Sequence, residues 1–459
     1  MSSQIQTPPL PGTPRPYRFP PVERQVLASG TRVVAASLAK VPLVTLAAVF
    51  HSAGASGDPV DRDGLAQLTA SMLLEGTTAR DGAAVAELFE SVGSSLSAAA
   101  DWDATTFSFT VQPSRLDAAV AALREVLQCP AFPERELARL QAEHRADRLQ
   151  LTADSQGLAD SAFAWSCYGN QSRYRRSIDG TIATVDSMTR DDLASSWRTQ
   201  YSARTLTVVL AGDVTAKRAL AVAGELASGL KGDAAPEREV PVEARYASRA
   251  VTLVAKPESA QAELRLGHAS VPRSHPSYFP LTVMNAVLGG LFSSRINLNL
   301  RERHGYTYGA FSGFDWRRHA GPWSVSTAVK TETCGAAVRE ILMEIDRIRT
   351  AGIDQDELEL ATKYLVGVFP LRFETTAAVA SALASQATFQ LPDDYFDTYR
   401  DRIAAVSASD VLRAAMDHIH PDRLQIVAAG DPALLQADLA AINGGEVHVH
   451  SAEEVEAAP

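Results

Sequence analysis

The sequence contains little cysteine and no long apolar segment. Only three cysteines occur in 459 residues, Cys129, Cys167 and Cys334, and none belongs to a C-x-x-C pair. This excludes a disulfide framework and a cysteine zinc site, and it indicates a reducing compartment. No run of about 18 apolar residues occurs, so no membrane-spanning helix is expected.

The N-terminal residues do not have the features of a secretory signal. A basic region followed by an apolar region is missing there, and proline recurs instead. We interpret residues 1–24 as a flexible, proline-rich N-terminus. The expected location is the cytoplasm.

Basic charge is scarce relative to acidic charge. The chain has 43 Lys and Arg against 54 Asp and Glu, which gives a formal net charge of −11. This balance argues against a nucleic-acid backbone or an anionic membrane as the main partner. A basic or apolar-basic peptide would suit the charge better. Neither a G-x-S-x-G elbow nor a phosphate-binding glycine-rich loop occurs, so serine-hydrolase and nucleotide-binding functions have no motif support.

An internal repeat divides the chain into two halves. Hydrophobic residues make up 46% of the chain and charged residues 21%, which is a globular composition. The segment from Asp192 to Asp213 matches the segment from Asp410 to Asp431, 218 residues later. Each segment is a helical pattern followed by an alternating apolar strand that ends at Ala-Gly-Asp.

The predicted elements follow the same order in both halves. The predicted strands are 31–36, 43–51 and 105–112 in the first half, and 250–255, 262–268 and 323–328 in the second. The predicted helices include 116–127, 135–151, 334–350 and 355–369. This order predicts an α+β fold of two homologous domains, each a mainly antiparallel sheet covered by helices.

Composition places the domain boundaries. The stretch 231–239 is rich in charge, glycine and proline and is typical of a linker. We therefore predict an N-terminal domain over 25–230, a linker over 231–247 and a C-terminal domain over 248–445. Residues 446–459 are interpreted as a solvated acidic tail.

One segment of the first half has the frame of a catalytic helix without its catalytic residues. Residues 64–77 read G-L-A-Q-L-T-A-S-M-L-L-E-G-T. The frame resembles the zinc helix of the pitrilysin and mitochondrial-processing-peptidase family, the inverted-zincin metallopeptidases. In the H-x-x-E-H form of that helix, two histidines bind Zn²⁺ and the glutamate activates water. Here those positions hold Gln67, Ala70 and Ser71.

A more distant residue supports this alignment. Asp147 lies 76 residues after Ser71, where the family resemblance implies a third ligand, a glutamate. Zn²⁺ requires three or four nitrogen, sulfur or oxygen ligands. We therefore expect no metal and no cofactor in this chain.

A second motif lies in the other half. Residues 291–308 read L-F-S-S-R-I-N-L-N-L-R-E-R-H-G-Y-T-Y and resemble the second-half signature of the same family. Arg301 and Tyr308 keep its seven-residue spacing. The resemblance implies that the arginine binds the substrate backbone and that the tyrosine hydroxyl donates to the scissile carbonyl or its oxyanion. Without the family frame, a helix-capping arginine and a half-buried strand tyrosine remain open.

The remaining candidates are weaker. Arg295 and Arg303 are expected to be structural or surface charges, and the glycines at 289 and 290 are expected to form a turn. His51 would complete a zinc site only with Asp101 or Asp103. The H-x-H pairs have no further ligand at suitable spacing; they are His418 with His420 and His448 with His450.

The resemblance implies a noncatalytic subunit of a heterodimeric zinc metallopeptidase, inactive alone. Its partner would be a homologous two-domain chain that carries H-x-x-E-H and holds the zinc, and the substrate would be a peptide. Two alternatives remain open: a purely structural assembly subunit, and an autonomous metal-dependent peptidase with unusual ligands.

Overall fold

The computed structural model describes residues 16–230, 240–443 and 446–458, and these form two six-stranded sheets. The strands of the first half are β1 (Val22–Val26), β2 (Arg32–Ser37), β3 (Val44–Phe50), β4 (Ser97–Ala100), β5 (Thr105–Val111) and β6 (Leu206–Gly212). Those of the second half are β7 (Ala250–Ala255), β8 (Gln261–Ala269), β9 (Ala310–Phe314), β10 (Pro322–Lys330), β11 (Gln425–Gly430) and β12 (Val447–His450).

Helices lie between and after the strands in both halves. The first half contains α1 (Leu65–Leu74), α2 (Gly82–Glu90), α3 (Leu116–Gln128), α4 (Glu134–Ala153), α5 (Ser155–Cys167), α6 (Ile182–Asp186), α7 (Arg190–Gln200) and α8 (Ala216–Ala227). The second half contains α9 (Tyr278–Asn285), α10 (Arg295–Asn297), α11 (Cys334–Ala351), α12 (Gln355–Val368), α13 (Thr376–Thr388), α14 (Tyr395–Ala404), α15 (Ala408–His418), α16 (Pro432–Asn443) and α17 (Ala452–Ala457). Two π-helical segments, Ala286–Gly290 and Leu298–Arg303, flank α10.

The two sheets have the same internal plan. Their strand orders are β1-β2-β6-β3-β5-β4 and β12-β7-β11-β8-β10-β9. In each sheet a central pair is parallel, β2 with β6 and β7 with β11, and the strands on the side of β3 or β8 are antiparallel. The sheets differ at the opposite edge, where β1 is antiparallel to β2 but β12 is parallel to β7. This confirms the predicted α+β class and the two homologous domains.

The sequence repeat corresponds to matching helix starts. At α7, Thr189 accepts a hydrogen bond from the amide of Asp192, whose carboxylate accepts one from the amide of Thr189. Ser407 and Asp410 form the same capping box at α15. This reciprocal bonding satisfies amides that the first helical turn leaves free.

One helix from each half packs on the sheet of the other half. Helix α5 packs on β8 and β11, whereas α13 packs on β3 and β6. Leu158 and Phe163 of α5 cluster with Val427 of β11, and Leu383 of α13 clusters with Val49 of β3. Both sheets are therefore covered on two faces, which explains why every residue of β3 and β6 is buried.

Both predictions for the chain ends differ from the structure. The segment from 446 is not a solvated tail, because β12 pairs with β7 and α17 buries Ala452 and Val455. At the other end, Phe19 is buried and its ring stacks 4.3 Å from that of Phe396. Apolar side chains at a few positions were enough to bind both segments to the core.

Some predicted features lie outside the described residues. These are residues 1–15 of the N-terminal segment, 231–239 of the linker, and residues 444, 445 and 459. From the rest of the linker, Val240 is buried beside α5. Among the described residues, no helix is long and apolar enough to cross a bilayer.

Candidate functional site

Helix α1 carries the degenerate zinc motif and is fixed at its N-terminus by two residues. Gly64 has a φ of 95°, and a Cβ there would lie 2.5 Å from the carbonyl oxygen of Asp179. Asp58 accepts a hydrogen bond from the amide of Ala66 at 3.0 Å. Burial raises the pKa of Asp58 to about 8, against the lowering effect of Arg173.

Three of the four degenerate positions meet in one cleft. Gln67 and Ser71 of α1 and Asp147 of α4 line a cleft of about 360 Å³. Ala70 is fully buried and is not part of this lining. The described residues that line the cleft all come from the first half, so Arg301 and Tyr308 do not reach it.

The side chains in this cleft do not fit zinc. The Oε1 atom of Gln67 accepts a hydrogen bond from the amide of Ala100 at 3.0 Å, and Ser71 offers only a neutral hydroxyl. Arg148 also lines the cleft, is buried, and has its Nε atom 3.5 Å from Glu456. Glu143, Asp147 and Asp179 supply carboxylates to the lining, but within the described residues they belong to no group of three or more side chains that could hold a metal, and the guanidinium of Arg148 opposes a divalent cation.

The cleft contains a histidine that sequence comparison with the motif did not weigh. His144 lies one turn before Arg148 on α4, and burial, followed by the charge of Arg148, lowers its pKa. His144 stands three residues before Asp147 in the segment E-H-R-A-D, whereas the family resemblance implies a ligand only at position 147. No group of three or more His, Cys, Asp or Glu side chains that could hold a metal occurs in the part of the chain that the structure describes.

The other histidine candidates have structural partners. His51 bonds through Nε2 to Thr207 at 2.8 Å and lines a cavity together with Asp103 and His319. His418 contacts Ser277, and the amide of His420 donates to His268. His448 stacks on Tyr246, and His450 lies 3.4 Å from Glu454.

Arg301 and Tyr308 lie in the part of the chain that leads into β9, an edge strand of the second sheet. Arg301 belongs to the π-helical segment, and its guanidinium lies 4.5 Å from the ring of Phe292. Its carbonyl oxygen accepts a hydrogen bond from the amide of Gly305 at 3.1 Å. Tyr308 stands two residues before the edge strand β9 and is 96% exposed. It is therefore not a half-buried strand aromatic.

Several apolar side chains near Tyr308 in the sequence are exposed. Phe292, Leu298 and Phe311 are all exposed, Phe292 by 66%. They lie within the same π-helix-to-strand segment as Tyr308, and Phe311 is part of β9. Exposed apolar side chains on and before an edge strand are typical of a surface that contacts a partner.

The neighbouring residues of this motif are structural. Arg295 forms a bidentate pair with Glu357, both bonds being 2.6 Å long. Gly289 does not form a turn as predicted but lies at the end of a π-helical segment, where a Cβ would contact Ser312 of β9. Arg303 is exposed. Arg295 and Gly289 thus fix the segment that carries Arg301 against α12 and the sheet.

Family models match most of the chain. A model described as "Insulinase (Peptidase family M16)" matches residues 32–161, and one described as "Peptidase M16 inactive domain" matches residues 187–365. The first includes the degenerate helix, and the second includes Arg301 and Tyr308.

Full-length relatives and solved structures agree with these models. An "uncharacterized zinc protease" of Streptomyces coelicolor is 25% identical over 86% of this chain and 87% of its own length. The "non-peptidase homolog YmxG" of Helicobacter pylori is 25% identical over 81% of this chain and 85% of its own.

A crystal structure of the peptidase M16 inactive domain from Pseudomonas fluorescens is similar to this fold with a TM-score of 0.84. It is 26% identical and covers 89% of this chain and 98% of its own. The protein therefore belongs to peptidase family M16, as a member whose zinc helix lacks the H-x-x-E-H residues.

Proposed function

We propose that this chain is the noncatalytic subunit of a heterodimeric zinc peptidase. Its partner would be a homologous chain with an intact H-x-x-E-H helix, and Arg301 and Tyr308 would act on a peptide bound at the partner's zinc. The observation that carries this proposal is the exposure of Tyr308, which is 96% exposed just before the edge strand β9. Because the side chain of Tyr308 is almost fully exposed, its hydroxyl is available to a peptide bound in a second chain.

The geometry of the two motifs supports an action in trans. Helix α1 lacks the residues of H-x-x-E-H, and Arg301 and Tyr308 do not line the cleft of Gln67. π-Helical segments are rare and often mark functional sites, and Arg301 lies in one that Arg295 anchors through Glu357. A guanidinium can bind peptide carbonyls, and a phenol can donate to a developing oxyanion.

The test is to coexpress the tagged chain with an H-x-x-E-H chain of the same genome and to measure hydrolysis of a fluorogenic peptide. The wild-type pair should be active, and each chain alone should be inactive. Tyr308→Phe should lower kcat by about 10²–10³-fold, as expected for loss of one oxyanion donor. Arg301→Ala should lower kcat/KM with a larger effect on KM.

Matched controls exist in the same chain. Arg303→Ala removes an exposed arginine two residues from Arg301, and Tyr364→Phe removes a hydroxyl from an exposed tyrosine of α12. Heterodimers that carry either control variant should keep wild-type turnover and zinc content. If the pair assembles and all four variants are equally active, the chain is a structural subunit instead.

We further propose that the pair is cytoplasmic. Cys129, Cys167 and Cys334 are all free thiols, and free thiols persist in a reducing compartment. Cell fractionation of the tagged chain tests this location, and recovery outside the cytoplasm would contradict it.

A further inference from the structure

A second cavity lies where the two halves meet. It encloses about 210 Å³. The first half supplies Arg32, His51 and Arg204, and the second half supplies Arg318 and the end of α13. We call it the basic cavity. It shares no lining residue with the cleft of Gln67, so the two are separate.

Positive charge in the basic cavity has little negative charge to balance it. Three guanidinium groups line it, and Asp103 is the single carboxylate among its lining residues. Within the described ranges, the side chains of Arg32 and Arg204 form no hydrogen bond and no ion pair. Because the chain as a whole carries a net charge of −11, this cavity is a local positive field that attracts an anion.

His51 adds a buried polar group to the same wall. Its Nε2 atom is bonded to Thr207, while its buried Nδ1 atom has no hydrogen-bond partner. Burial, followed by the charges of Arg32 and Arg318, lowers the pKa of His51 to about 4. The imidazole is therefore neutral at pH 7, and a nearby anion would raise its pKa.

We propose that the basic cavity binds a phosphate-sized oxyanion, held by Arg32 and Arg204 from one half and by Arg318 from the other. Guanidinium groups bind phosphate oxygens through paired, charge-assisted hydrogen bonds. The volume is below the ~300–1,000 Å³ typical of sites for drug-sized molecules. It suits a free phosphate, a diphosphate, or the phosphoryl end of a longer molecule. Because the arginines come from both halves, the anion stabilises their junction.

The test uses diphosphate as the probe, at an ionic strength kept constant with sodium chloride. Calorimetry of the wild-type chain should show one saturable site, and the Tm should rise with diphosphate concentration. The double variant Arg32→Gln, Arg204→Gln should bind more than about tenfold more weakly. Both side chains are exposed, so this variant should fold, which near-ultraviolet circular dichroism checks.

A charge-matched control separates a site from a net-charge effect. The double variant Arg135→Gln, Arg413→Gln removes the same charge from side chains that are 95% and 70% exposed. It should bind diphosphate as the wild type does. Equal weakening in both double variants, or no saturable binding by the wild type, would overturn the proposal.

The histidine gives an independent readout of location. Nuclear magnetic resonance of the labelled imidazole should show that saturating diphosphate raises the pKa of His51. An unchanged titration of His51 despite diphosphate binding would place the anion elsewhere and would also overturn the proposal.

Further probes identify the source of the oxyanion. If a short phosphoserine peptide binds as diphosphate does, the site accepts a phosphoryl group on a longer molecule. If only phosphate and diphosphate bind, the ligand is a free oxyanion. If the unphosphorylated peptide binds equally well, the cavity does not recognise phosphate and the proposal is wrong.

Discussion

The side chain of Gln67 binds the edge of the first sheet: its Oε1 atom accepts a hydrogen bond from the backbone amide of Ala100 at 3.0 Å. Ala100 ends β4, an edge strand of that sheet. In the family frame, position 67 is where a zinc-binding histidine stands. Here the same position satisfies an amide of an edge strand.

Restoring the motif tests the alignment of the cleft. The variant Gln67→His, Ala70→Glu, Ser71→His, Asp147→Glu should bind one zinc, because positions 67, 71 and 147 line one cleft. The same variant without Asp147→Glu should bind zinc more weakly, since its third ligand is one methylene shorter. Elemental analysis and calorimetry measure both.

The structure also sets a limit on that restoration. Ala70 is fully buried, so a glutamate there meets close packing, and Gln67→His gives up the bond to Ala100. We expect a less stable protein with little or no peptidase activity. The wild type should hold no stoichiometric zinc. If the quadruple variant folds but takes up no zinc, the proposed alignment is wrong.

The sequence predicted the regular elements well because their burial is periodic. The strand predicted over 250–255 is β7, and the helix predicted from Cys334 is α11, since apolar spacing follows the element's own geometry. The sheet on which α13 packs was not predictable from the sequence. Its small side chains, such as Ala380 and Ala384, show that it is buried but not that it covers the sheet of the other half.

The candidate site was predictable only where spacing carries information. The resemblance to the family's zinc helix and its third ligand implied that Gln67, Ser71 and Asp147 lie together, and the structure has them in one cleft. The ion pair between Arg148 and Glu456 joins residues with no fixed spacing. No pattern in a single sequence indicates such a contact, and the short C-terminal segment therefore was interpreted as a solvated tail.

A glycine substitution tests the packing of α5 on the second sheet. A Cβ at Gly267 of β8 would contact the carbonyl oxygen of Trp323 and lie 2.8 Å from the ring of Phe163. We expect Gly267→Ala to lower the free energy of unfolding by about 1–3 kcal/mol, the usual effect of overpacking. Gly313→Ala in β9 is the control, because a Cβ there meets no heavy atom within 4 Å. Urea unfolding measures both, and equal stabilities would contradict the described packing.

The pH dependence of stability should reveal the buried carboxyl of Asp58. Burial raises its pKa to about 8, well above the ordinary value of an aspartate. The folded state therefore holds this proton more tightly than the unfolded state. The resulting stability is complete below the unfolded pKa and is lost as pH rises through about 8, with a slope of at most about 1.4 kcal/mol per pH unit.

Asp58→Asn should remove that part of the pH dependence. The amide oxygen can still accept the hydrogen bond from the amide of Ala66. Asp61→Asn is the control, since Asp61 is exposed and asparagine tolerates its positive φ. The measurement is urea unfolding of the three proteins between about pH 5 and pH 9. If Asp58→Asn keeps the wild-type slope, another group is responsible for it.

The C-terminal helix should stabilise the cleft through one carboxylate. Glu456 of α17 lies 3.5 Å from Arg148 and accepts a hydrogen bond from the amide of Ile182 at 3.1 Å, and it is largely buried. Glu456→Gln keeps an acceptor for Ile182 but leaves the guanidinium of Arg148 without this counter-charge. We expect a loss of about 1.5–3 kcal/mol in the free energy of unfolding, as for a hydrogen-bonded charge. Glu453→Gln changes an exposed neighbour on the same helix and should stay within about 0.5 kcal/mol of the wild type. If chemical unfolding gives the same midpoint for both variants, the contact of Glu456 with Arg148 does not contribute to stability.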